Sequence, residues 1–118
     1  MTAGYYIVAG GLDLKLNSPT NRCYFYYDGN NEAEKIDKMD IPRYSFNLIS
    51  VGEFAYAVGG KTSNPDGSVT LLKSCERFDC GSKKWVQIAD LNKARSDAMT
   101  IVIKSKMYVL GGCDEQGQ

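Results

Sequence analysis

Short apolar and aromatic runs alternate along the chain with polar or glycine-bearing connections, and no stretch carries the i, i+3, i+4 spacing of a long amphipathic helix. Three runs end in a glycine pair: Tyr5-Tyr6-Ile7-Val8-Ala9-Gly10-Gly11, Phe54-Ala55-Tyr56-Ala57-Val58-Gly59-Gly60 and Met107-Tyr108-Val109-Leu110-Gly111-Gly112. Their first glycines stand 49 and then 52 positions apart. Arg43 precedes Gly59 by sixteen residues, and Arg95 precedes Gly111 by the same interval. Between each arginine and its glycines lie two apolar segments with a tight connection: Phe46 to Ser50 and Phe54 to Val58 about Val51-Gly52-Glu53, then Ala98 to Ile103 and Lys106 to Leu110 about Lys104-Ser105. Their length and their β-branched and aromatic content predict β-hairpins.

After the first two glycine pairs comes a polar loop and then a run ending in aromatic-Asp: Arg22 to Asp28, with the turn Asp28-Gly29-Asn30-Asn31, and Ser74 to Asp79, with the turn Cys80-Gly81-Ser82-Lys83. A fourth short run follows, Ala33 to Asp37 in one copy and Trp85 to Ile88 in the other. Asp37 to Arg43 then matches Ala89 to Arg95 as the connection to the next copy. Four short strands in about 50 residues, separated by glycine-rich turns, are the pattern of a propeller blade. The predicted fold class is all-β.

These marks resemble the kelch repeat: a glycine pair after the second strand, an aromatic further on, a tryptophan beyond it and an arginine past the fourth strand. Gly59, Gly60, Phe78, Trp85 and Arg95 carry the full set. Gly10, Gly11, Tyr27 and Arg43 carry the first copy, with Ala33 near the tryptophan position, and Gly111 and Gly112 carry the third. The resemblance implies four-stranded antiparallel blades of a β-propeller, incomplete in this chain. Residues 4–38 read as an incomplete blade, 44–90 as a complete one and 96–112 as the first hairpin of the next. Glycines suit a backbone conformation closed to residues with a Cβ. Trp85 fills the gap between blades, with an indole N–H that needs a partner. About two and a half repeats do not close a propeller of four to eight blades. Completion is therefore expected from missing sequence or from other chains.

The 118 residues balance fourteen Lys and Arg against fourteen Asp and Glu. This neutrality argues against nucleic acid or an anionic membrane as partner. The absence of histidine removes Ser-His-Asp and Cys-His catalytic pairs and histidine-ligated metals. The four cysteines have no CxxC spacing, and reduced thiols are expected of a chain with no secretory pattern. No catalytic residue, metal or cofactor is assigned. No apolar run approaches the ~20 residues of a membrane span, and a cytoplasmic location is expected.

By resemblance, kelch propellers mostly bind proteins through loops at one face. Many are substrate-recognising parts of ubiquitin-ligase adaptors that also carry a BTB domain, and others bind actin or organise complexes. The loop Gly59 to Ser68 is similar to that of the adaptor type, so Lys61, Ser63 and Asn64 are candidate partner contacts. Arg43 with Tyr44 and Arg95 with Ser96 match positions that contact acidic peptides in some members. Two arginines and a lysine at a channel mouth could grip a carboxylate. The other reading gives these groups to structure or solvent, with Asp97 as a salt-bridge partner of Arg95. Leu12, Leu14 and Leu16 form either an apolar contact site or packing beneath a neighbouring blade. The expected function is a protein-interaction module; the alternative is a scaffold subunit built into a larger assembly.

Overall fold

The computed structural model describes residues 5–27, 33–104 and 106–114, with only the backbone of Tyr5 and Tyr27. The predicted turn at 28–31 lies outside them. The strands are β1 (Tyr5–Ala9), β2 (Leu12–Asp13), β3 (Ser18–Pro19), β4 (Cys23–Tyr27), β5 (Ala33–Ile36), β6 (Asn47–Val51), β7 (Phe54–Val58), β8 (Lys61–Ser63), β9 (Val69–Leu71), β10 (Cys75–Asp79), β11 (Lys84–Ile88), β12 (Met99–Ile103) and β13 (Lys106–Leu110). They form a three-stranded sheet β1-β4-β5, a four-stranded sheet β11-β10-β7-β6 and the pair β12-β13, with β2-β3 and β8-β9 as small hairpins. All pairings are antiparallel. The fold is all-β, and among the described residues no helix is long and apolar enough to cross a membrane.

The repeat recurs bond for bond in the backbone. Gly10 N–H donates to Arg22 O and Gly59 N–H to Ser74 O, each at 3.1 Å. Gly11 N–H reaches across to Arg43 O at 2.8 Å, and Gly60 N–H to Arg95 O at 2.9 Å. Met39 N–H meets Asn21 O, and Leu91 N–H meets Lys73 O, at 3.0 and 2.7 Å. The second glycine of each pair thus stitches its sheet to the segment leading into the next. Gly60 has φ +98°, and a Cβ there would lie 2.6 Å from the Phe46 Cβ and 2.7 Å from Tyr44 O. Both the conformation and the close approach require glycine.

The core lies between the first two sheets. Cys23, Phe25, Ile36 and Met39 meet Ala55, Ala57 and Phe78, with Trp85 packed against them. The small alanines of β7 leave room for rings: Phe25 and Phe78 meet edge to face at 5.5 Å, and Phe78 and Trp85 tilt together at 5.2 Å. The Trp85 indole N–H finds its partner in Asp37 O at 3.0 Å, while the Trp85 backbone N–H donates to Asp37 Oδ2 at 3.1 Å.

The register corrects one expected correspondence. Tyr26 is opposite Ala33 as Phe78 is opposite Trp85, so Tyr26, not Tyr27, occupies the place of Phe78 in the first sheet. Ala33 does hold the tryptophan position.

Candidate functional site

Beyond each glycine pair the chain makes a small hairpin, and β3 of one lies alongside β8 of the other. The segments that begin the next sheets run to the same end. Tyr44 and Lys61 exchange backbone hydrogen bonds at 2.9 and 2.8 Å, and Ser96 and Cys113 do so at 3.0 and 2.8 Å. This end therefore gathers the loops in which the candidate contacts lie.

The β8–β9 hairpin is stiffened from within. Asn64 donates through Nδ2 to Ser68 Oγ at 2.9 Å and Thr70 Oγ1 at 2.7 Å, and its backbone N–H donates to Ser68 O at 2.8 Å. Asp66 Oδ1 accepts from the Ser68 N–H and hydroxyl at 2.9 and 2.6 Å, and these bonds lower its pKa. Asn64 thus serves the turn itself. Ser63 is exposed. Lys61 is half-buried at the hairpin base and takes part in no ion pair among the described residues.

The two arginines part company. Arg43 is fully buried. Its Nη1 donates to Gly59 O and Ser74 O, each at 2.9 Å, and its Nη2 to Glu76 Oε2 at 2.8 Å and Ser74 Oγ at 3.4 Å. Its hydrogen bonds go to its own chain, which places it in the fold's structure and not at a partner-facing surface. Arg95 is half-buried and donates from Nη1 to Gly111 O at 3.0 Å, its one side-chain hydrogen bond among the described residues. Ser96 is also buried, with its Oγ unpartnered, so it presents no surface for a partner either. Tyr44 is half-buried behind Lys61. Asp97 is exposed and makes no ion pair with Arg95; its N–H donates to Ser45 O at 2.9 Å.

One feature escaped the sequence reading. Glu76 is fully buried, accepting Asp40 N–H at 2.6 Å and Ile41 N–H at 3.2 Å besides Arg43. Its carboxylate clasps the connection between the first two sheets. The available signal was a lone carboxylate at an inward position of a core strand, where an unpaired charge is costly. Of the two expectations for the leucines, the described residues supply no sheet above Leu14 and Leu16, which are 87% and 72% exposed. The Asp13 carboxylate accepts the N–H groups of Lys15 and Leu16 at 3.0 and 3.2 Å, holding that turn outward.

No disulfide joins the four cysteines. Burial pushes the Cys23 thiol up to about 11 and raises that of Cys75, whereas Cys113 is exposed.

Antiparallel sheets that repeat their glycine stitches and stack through a shared aromatic core are the blades of a β-propeller. Residues 42–92 match the family model described as Kelch motif. The chain is 31% identical over 93 residues to Kelch-like protein 13 of Mus musculus, covering 79% of this chain and 14% of that protein. It is 30% identical over 109 residues to Kelch-like protein 25 of Homo sapiens, covering 89% and 18%. A solved structure titled "Structure of YjhT" shares the fold, with a TM-score of 0.73 at 16% identity over 92% of this chain and 34% of the other. The chain belongs to the kelch-repeat β-propeller family. It spans a small part of the length of the relatives it matches.

Proposed function

We propose that this chain is a protein-recognition part of a kelch propeller, which presents the β2–β3 and β8–β9 hairpins to a protein partner. The carrying observation is Lys61: a cation without an ion pair among the described residues, fixed at the base of an internally bonded hairpin. A pre-ordered loop loses little entropy on binding, and an unpaired ammonium beside it favours an acidic segment. Ser63 and Arg95 supply further donors at the same end, and Leu14 and Leu16 an apolar contact. On this reading 4–38, 44–90 and 96–112 belong to three consecutive blades, completed by further sequence or by other chains.

The test is a fluorescein-labelled Glu-rich peptide titrated against the chain and its Lys61→Glu variant. The expected result is weaker binding by about tenfold or more, with an unchanged melting temperature. Equal binding by both forms, or a variant that melts early, overturns the reading. The scaffold alternative draws on the apolar residues exposed on β1 and β13, Tyr6, Val8, Tyr108 and Leu110. It requires assembly that survives Lys61→Glu.

A further inference from the structure

The tip of the β8–β9 hairpin carries a dipeptide with chemistry of its own. Asp66 is followed by Gly67, and a glycine has no side chain to shield its backbone nitrogen. In an open chain that nitrogen loses its proton and attacks Cγ of the preceding aspartic acid. One carboxyl oxygen leaves as water and a succinimide ring closes. Water then opens the ring at either carbonyl. Opening at the side-chain carbonyl restores aspartate. Opening at the main-chain carbonyl leaves isoaspartate, in which the backbone runs through Cβ and Cγ. One water is released and one is taken up, so the conversion needs no oxidant, reductant or cofactor.

In the closed hairpin both reacting groups are engaged elsewhere. The Gly67 N–H donates to Asn64 O at 2.9 Å, closing the turn from Asn64 to Gly67. Asp66 Oδ1 accepts from the Ser68 N–H at 2.9 Å and from the Ser68 hydroxyl at 2.6 Å. Those bonds lower the Asp66 pKa, and a carboxylate is a poorer electrophile than the acid. Asn64 ties the same residues from the other side, through Nδ2 to Ser68 Oγ and Thr70 Oγ1 and through its N–H to Ser68 O. The nucleophile is thus held backwards and the electrophile forwards. Asp66 and Gly67 are both exposed, and a Cβ added at Gly67 would meet no atom within 4 Å. Protection therefore comes from the hydrogen bonds and not from burial.

We propose that Asp66–Gly67 is a covalent modification site, where aspartate converts spontaneously to isoaspartate whenever the β8–β9 turn opens. Local opening of an exposed turn costs far less than global unfolding. It frees both groups together, because Ser68 and Asn64 bind each other as well as the reacting pair. The product lengthens the backbone at the tip by one carbon and replaces the Asp66 side chain with a free α-carboxylate. A modified turn therefore lacks the bonds that had protected it. The site is independent of whether the loop face binds a partner.

The test incubates the whole chain beside a synthetic peptide of residues 62–73 at neutral pH. Isoaspartate is then read by methyl transfer from labelled S-adenosylmethionine with an isoaspartyl methyltransferase. Trypsin cuts after Lys61 and Lys73, which separates this site from the other Asp-Gly pair, Asp28-Gly29, outside the described residues. Asn64 in the same fragment adds no signal, because Pro65 has no N–H with which to attack it. The free peptide should form isoaspartate about tenfold or more faster than the same residues within the chain. Asn64→Ala should raise the rate in the chain by about tenfold, and Ser68→Ala should raise it as well. A chain that isomerises as fast as the free peptide overturns the proposal. So does a peptide in which no isoaspartate accumulates, or an unchanged rate in both variants. The peptide comparison stands even if a variant fails to fold. Lys61→Glu should leave the rate unchanged, which separates failure here from failure at the loop face.

Discussion

Arg43 and Glu76 are 2.8 Å apart with both side chains essentially inaccessible, so each depends on the other. Removing one partner strands a buried charge, and Arg43→Ala should cost about 3–5 kcal/mol in denaturant unfolding. The same substitution in a Glu76→Gln background should cost clearly less, since the two residues share one network. Gly60→Ala meets both a left-handed backbone and two close neighbours; a loss of about 1–3 kcal/mol or more is expected in the same measurement. The buried thiols give a pH signature. Cys23 holds its proton more tightly folded than unfolded, so its contribution is intact below about pH 9 and is lost as pH rises towards about 11. Unfolding followed across pH 8 to 11 should show falling stability, and a thiol reagent at pH 8 should modify Cys113 before Cys23 or Cys75.

At the scale of elements, the strands were legible because the causes that form them act locally. Gly59-Gly60 and Gly111-Gly112 each end a run of apolar residues, and each pair meets the same backbone demand. The sixteen-residue step from Arg43 to Gly59 and from Arg95 to Gly111 proved to be a hydrogen bond. The slip between Tyr26 and Tyr27 has an equally physical origin. Matching by side-chain type ignores hydrogen-bond register, and the hairpins after the glycine pairs differ in length between copies. Arg43 was read as a possible contact because its burial depends on Glu76, thirty-three residues further on; nothing beside Arg43 in sequence reveals it. Lys61 at the base of the hairpin was legible, whereas the use of Asn64 inside the turn required coordinates. Asn64→Ala should loosen the β8–β9 hairpin alone. Amide exchange at Gly67 and Ser68 should quicken by about tenfold while core amides stay protected.

At the scale of the molecule, the described sheets form a body 46 × 40 × 20 Å in extent, and its short dimension is close to the ~17 Å length of a five-residue strand. Exposed apolar side chains mark both ends of the series: Tyr6 and Val8 on β1, and Tyr108 and Leu110 on β13. Concentration-dependent self-association is expected in sedimentation velocity, reduced by the pair Val8→Lys and Leu110→Lys, because edge and face charges oppose such contacts. The Glu76 clasp also imposes an order on synthesis. Asp40 leaves the ribosome thirty-six residues before the carboxylate that will hold its N–H. At about 5–20 residues per second, that delay is roughly 2–7 s. Through that interval the nascent first blade carries an untethered crossover and an uncovered aromatic face, and it is then that a chaperone would have most to protect.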